Sequence, residues 1–242
     1  MRTWSGGERM KQIRQVGLWG DSVMRGVVWN SESQKYKYAT VNAAEEASKN
    51  LGINLENHAK MGCTATKGFH LLQRSFEKES AYPQAALIEF GGNDCDFDWA
   101  AISDAPEAEH LPKNPLPKFE AEMRLMIRFL RERGVMPLLT TLVPNHAERY
   151  FDFITRTGLS KENILFWLGD VQHIYRWHER YNLLVEKLAR EEKCPILGLR
   201  DAFLSQWHYE DYLCEDGIHP NEKGYFLLQE VISSEGRRIF QF

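Results

Sequence analysis

The chain has 242 residues, with 30 Lys plus Arg against 34 Asp plus Glu and a formal net charge of −4. So balanced a chain lacks the basic excess that nucleic-acid binding draws on, and no nucleic-acid partner is expected. A hydrophobic fraction of 43% and a charged fraction of 26% match an ordinary folded protein and exclude disordered, collagenous and coiled-coil classes.

The apolar pattern alternates between short strand-like runs and longer helix-like ones. Residues 13–19 (IRQVGLW) read as a first strand ending at Gly20. Residues 36–51 are rich in Ala, Glu and Lys and read as a helix closed by Gly52. Residues 53–58 (INLENH) read as a second strand. Residues 85–90 (AALIEF), bounded by Pro83 and Gly91-Gly92, read as a buried third strand. Over 118–133, Phe119, Met123, Met126, Ile127 and Leu130 recur at helical spacing, and Gly134 closes that helix. Residues 135–143 (VMPLLTTLV) read as a fourth strand, 171–192 as a long amphipathic helix, 195–199 (PILGL) as a short fifth strand and 221–235 as a final helix.

Strands separated by helices imply a mainly parallel five-stranded sheet covered on both faces, a three-layer α/β/α sandwich. Two segments stand outside this alternation: 95–117, with four prolines, and 144–170, which holds Pro144, Asn145, His146 and many aromatics. Both follow strands and neither reads as a linker. Residues 1–242 therefore read as a single domain with rim insertions near 95–117 and 144–170. Four cysteines without CxxC spacing form neither a disulfide framework nor a zinc pattern. No apolar run approaches the roughly 20 residues of a membrane span. The polar start MRTWSGGERMKQIRQ lacks the apolar core of a secretory signal, so the expected location is cytoplasmic.

Parallel sheets bind ligands beyond the carboxyl ends of their strands. There the sequence places Gly20-Asp21-Ser22, Met61-Gly62-Cys63 and Gly91-Gly92-Asn93-Asp94, and before the last helix Asp216-Gly217-Ile218-His219-Pro220-Asn221. These supply the groups that acyl transfer through a serine requires. Ser22 is the candidate nucleophile, a weak one until a base takes its proton. His219 is the candidate base, because imidazole titrates near neutrality. Asp216, three residues earlier, can fix its tautomer. The Ser22 amide, the Gly62 amide and the Asn93 side chain are candidate oxyanion donors. Glycine at 62 would let the oxyanion approach the backbone, and Ser22 at the start of a helix would add a favourable dipole.

These four blocks, in this order from residue 20 to residue 221, resemble the SGNH, or GDSL-type, esterase and lipase family. The resemblance implies a flavodoxin-like fold, no metal and no organic cofactor. It also implies Ser22, Gly62, Asn93 and His219 as the signature residues, with Asp216 completing a catalytic triad. The expected function is a serine esterase acting on a small-molecule carboxylic ester through an acyl-serine intermediate. A short-chain or acetyl ester such as an acetylated carbohydrate heads the candidates. Lysophospholipase, thioesterase or acyltransferase activity on the same groups, and a non-catalytic ligand-binding module, are the alternatives. Asp21 and Asp94 are expected to hold local structure, His146 to be solvated, His173 and His178 to serve packing or the surface, and Cys63 and Cys95 to be inert. Trp19, Phe97, Trp99, Tyr150, Phe151, Phe153, Phe166 and Trp167 are candidates to line a pocket.

Overall fold

The computed structural model describes residues 12–78 and 81–240, so the polar start over 1–11 lies outside the described residues. Strand β1 (Gln15–Trp19) is buried from its second residue onward, as a central parallel strand must be. It runs through Gly20 into a single helical turn, α1 (Ser22–Arg25). Strands β2 (Val27–Asn30) and β3 (Lys35–Tyr38) then pair antiparallel as a separate hairpin. Helix α2 (Ala43–Leu51) is capped by the Asn42 side chain and ended by left-handed Gly52. There follow β4 (Asn54–Asn57), α3 (Ala65–Lys78) and β5 (Ala85–Ile88). Next come α4 (Trp99–Asp104), α5 (Leu116–Glu132) and β6 (Met136–Thr140). The chain continues through α6 (Ala147–Thr155), α7 (Lys161–Leu168), α8 (His173–Glu191) and β7 (Ile196–Leu197). It ends with α9 (Leu199–Leu204), a 3-10 turn (Tyr209–Tyr212) and α10 (Glu222–Phe240).

The main sheet runs β4-β1-β5-β6-β7, every pairing parallel. Counting only its own strands, the order is 2-1-3-4-5, the flavodoxin-like arrangement, and the order reverses between β1 and β5. Side chains of β5 divide by the two-residue period of a strand. Ala85 and Leu87 join a core with α2 and α10 residues such as Ala47 and Leu228. Ala86 and Ile88 join the opposite core with Leu72 of α3, Met123 and Ile127 of α5 and Val185 of α8. A third apolar cluster, including Phe97, Trp99, Tyr150, Ile164 and Ile174, forms a wall beyond the carboxyl ends of the strands.

All five expected sheet strands are present, each shorter than the apolar run that marked it. The expected helix over 36–51 is divided: Lys35–Tyr38 alternates KYKY and pairs with Val27–Asn30, and the helix begins only at Ala43. The sequence reading passed over β2 and α3. The two long segments after β5 and β6 are not structureless, since they hold α4, α6 and α7.

Candidate active site

The reversal between β1 and β5 opens a cavity of about 460 Å³, whose wall includes Ser22, Gly62, Asn93 and His219. Ser22 is the first residue of α1. Asp21 caps that turn, its Oδ1 accepting the Val23 N–H at 2.8 Å. With only four residues, α1 carries little of a helix dipole, so the expected dipole contribution shrinks. The Asp216–Asn221 loop approaches Ser22 from the other side. His219 Nδ1 lies 2.6 Å from Asp216 Oδ2, and His219 Nε2 lies 2.8 Å from Ser22 Oγ. A carboxylate only accepts, so Nδ1 carries the hydrogen and Nε2 accepts from the Ser22 hydroxyl. Asp216 has no exposed surface, and its Oδ1 also accepts the Ile218 and His219 N–H groups at 3.1 Å each. Tyr36, from the β2–β3 hairpin, covers the other flank of the imidazole edge-on, with centroids 5.1 Å apart.

Two glycines shape this neighbourhood. Gly217 adopts φ +72°, and a Cβ there would meet the His146 carbonyl oxygen at 2.7 Å. The imidazole loop is thus seated directly on the start of α6, where the His146 N–H also donates to the Gly217 carbonyl at 2.7 Å. Gly62 adopts φ +69°, yet a Cβ there would meet no protein atom within 4 Å. Backbone conformation, rather than crowding by the protein, is what calls for glycine at 62.

Asn93 is held by Asp21: its Nδ2 donates to Asp21 Oδ2 at 2.8 Å. Asp21 therefore does more than hold local backbone. Glu89, at the end of β5, accepts the Asp21 N–H at 3.0 Å. Burial pushes the pKa values of Asp21 and Glu89 up, and the neighbouring Asp21 charge pushes Glu89 further. Asp94, close enough to feel the charge of this pair, ties loops together. Its Oδ1 accepts from the Ala65 N–H and from Asn114 Nδ2, and burial raises it to about 7.

Both long segments contribute to the cavity wall, with Phe97 and Trp99 from one and Asn145, Tyr150 and Phe153 from the other. Trp19 is instead a core residue stacked on His58, and Phe166 is exposed. Two histidines left without a role by sequence reasoning, His173 and His178, line the cavity from α8 beside Trp177. Burial and the nearby Arg200 charge push His178 down to about 3, so it is a neutral ring. Trp177 Nε1 and Asn145 Oδ1 are buried without a hydrogen-bond partner. The four cysteines are buried and free, and burial raises the Cys63 thiol to about 11. Among the described residues no group of three or more His, Cys, Asp or Glu side chains is placed to hold a metal ion. Nor is any described helix long and apolar enough to cross a membrane.

Residues 18–227 match the model of the GDSL-like lipase/acylhydrolase family. The chain belongs to that family. This GDSL-like protein is accordingly a hydrolase, and its fold recurs in solved structures. A carbohydrate acetylesterase family member from Sinorhizobium meliloti is 13% identical with a TM-score of 0.65, covering 95% of this chain and 100% of its own. The lipase/acylhydrolase from Enterococcus faecalis is 18% identical with a TM-score of 0.60, over 93% and 97%. The psychrotrophic esterase EstA from Pseudoalteromonas sp. is 13% identical with a TM-score of 0.59, over 95% and 100%. At these identities the likeness is one of fold. No curated protein matches the chain.

Proposed function

We propose that this GDSL-like hydrolase is a serine esterase that cleaves a short-chain, acetyl-type ester of a hydroxyl-bearing alcohol. The observation that carries the reading is the hydrogen-bonded chain Ser22–His219–Asp216 on the cavity wall, at 2.8 and 2.6 Å. In this reading Ser22 Oγ attacks the ester carbonyl while His219 Nε2 takes its proton. His219 then gives that proton to the departing alcohol. Asp216 holds the ring and stabilises the imidazolium. Water enters, loses a proton to His219 and releases the acid, restoring Ser22. The oxyanion is received by the Ser22 and Gly62 amides and by Asn93 Nδ2. The amide of Ser22 suits this task because the first N–H groups of a helix have no intrahelical acceptor.

The substrate class rests on the far wall. A cavity of about 460 Å³ holds a small ester with its alcohol. That wall combines the rings of Trp99, Tyr150 and Trp177 with polar residues such as Asn145 and His173. A hydroxylated ring rests its apolar face on the aromatic rings and turns its hydroxyls to the polar residues. The description of the Sinorhizobium neighbour as a carbohydrate acetylesterase family member agrees with this choice.

The test is hydrolysis of p-nitrophenyl acetate, butyrate and octanoate, and acetate release from acetylated sugars, by wild type and Ser22→Ala. Rates should fall with acyl length, and Ser22→Ala should lose at least about 1000-fold. Equal turnover by Ser22→Ala overturns the mechanism. A preference for octanoate overturns the substrate class alone.

A further inference from the structure

In the cavity wall lies a carboxyl group that the proposed mechanism does not use. Glu89 is 4% exposed, and Asp21 beside it 2%. The two carboxyl groups lie within hydrogen-bonding reach of each other. Gly20 makes room for this approach: a Cβ there would meet Glu89 Oε2 at 2.9 Å. Two carboxylates that close and that dry do not both ionise, whereas one shared proton turns repulsion into a hydrogen bond.

The donors around the pair decide where that proton sits. Asp21 receives the Val23 N–H and Asn93 Nδ2, each at 2.8 Å. Glu89 receives the Asp21 N–H. The negative charge belongs where more donors converge, on Asp21. The other titratable groups around the pair favour the same assignment. Asp94 opposes a second charge on Glu89, and His219, once it becomes an imidazolium during turnover, favours the Asp21 anion. Cys63 and Tyr225 face the pair as neutral groups.

We propose that Glu89 is a positioning residue that stays a carboxylic acid at neutral pH. Its O–H donates to Asp21, Asp21 remains an anion, and that anion fixes one hydrogen of Asn93 Nδ2. The second hydrogen of the amide is then aimed at the oxyanion. The role given to Asn93 rests on the esterase reading above; the protonation of Glu89 does not.

Two measurements test this on the full chain. Infrared spectra at pH 8 should show the carbonyl band of a protonated carboxylic acid in wild type and its loss in Glu89→Gln. A band unchanged by the substitution overturns the proposal. In kinetics, Glu89→Leu removes the donor and should lower kcat about 100-fold with little change in KM, as for a lost oxyanion donor. Glu89→Gln, whose amide still donates to Asp21, should recover most of that loss. In an Asn93→Ala background Glu89→Leu should cost nothing further, because both act through one group. Additive losses overturn the route through Asn93. Should Glu89→Leu fail to fold, the infrared comparison and the Glu89→Gln rate decide: a lost band with near wild-type kcat supports the proposal, and a kcat as low as that of Asn93→Ala overturns it. Turnover by Ser22→Ala would sink the esterase reading and leave the infrared result standing.

Discussion

Gly217 and Gly62 share a left-handed backbone, φ +72° and +69°, but not the same surroundings. An alanine at 62 meets only the conformational cost, about 1 kcal/mol. An alanine at 217 adds a clash with the His146 carbonyl, and backbone on both sides must shift, at about 3 kcal/mol in all. Urea unfolding should therefore separate Gly217→Ala from Gly62→Ala, whereas both should lower kcat, the former by moving His219 and the latter by placing a methyl where the oxyanion approaches the Gly62 amide. Equal destabilisation would contradict the seating of the loop on α6. As candidates, Asp216 and His219 were legible as a pair because they lie three residues apart in one turn, and Ser22 was legible only from its place just beyond the carboxyl end of a strand. Trp177 and Asn145 were not. They come from α8 and from beyond β6, and only the folded chain shows that both residues line one cavity. His173 and Trp177 do sit four apart on one helical face, a visible signal, but helical spacing gives no direction toward cavity or solvent.

The hairpin of β2 and β3 was the element hardest to read. Lys35-Tyr36-Lys37-Tyr38 alternates as a strand does, yet it adjoins a helix rich in Ala and Glu, and the two run together in sequence. Its role is to bring Tyr36 against His219, Trp29 and Phe153, with ring centroids 5.1, 5.0 and 6.4 Å apart. Arg156 lies over the Phe153 ring at 3.3 Å and over the Trp29 ring at 4.6 Å, closing the stack. Tyr36→Phe keeps these ring contacts, loses only the hydroxyl's hydrogen bond to Asp216, and should cost less stability than Tyr36→Ala. Tyr36→Ala forfeits them at about 2 kcal/mol and frees one flank of the imidazole. Thermal melts and kcat for the two variants should diverge, and matching losses would mean that the hydroxyl, not the ring, is what matters. The parallel strands, by contrast, were legible as runs such as AALI, because both faces of β5 are buried and no polar residue interrupts it.

Over the whole molecule, buried ionisable groups pull stability in opposite directions with pH. Asp94 is raised to about 7 when folded, so the folded state holds a proton that the unfolded chain releases near pH 4. Its contribution is fully present below about pH 4 and is lost as pH rises through 7. His178 is lowered to about 3, so its contribution is present above about pH 6.5 and is lost as pH falls through 3. Asp94→Asn should thus leave the His178 slope unopposed. Between pH 4 and 7.5 the variant should gain on wild type by on the order of 4 kcal/mol, read by urea unfolding at several pH values. A constant difference across that range would show that Asp94 stays ionised in the fold. The order of the sheet was legible only through the family resemblance, since strand patterns carry no information about which neighbours pair. The seat of Gly217 on α6 has a consequence for redesign. The segment that lines the cavity and the loop that carries the imidazole are bolted together, with His146 and Tyr150 against Gly217. Substrate range and turnover are therefore not independent modules in this protein. A graft that exchanges the whole of 144–170 would disturb the imidazole loop, whereas one that begins after Arg156 leaves both the seat and the stack on Tyr36 untouched and can vary the wall alone.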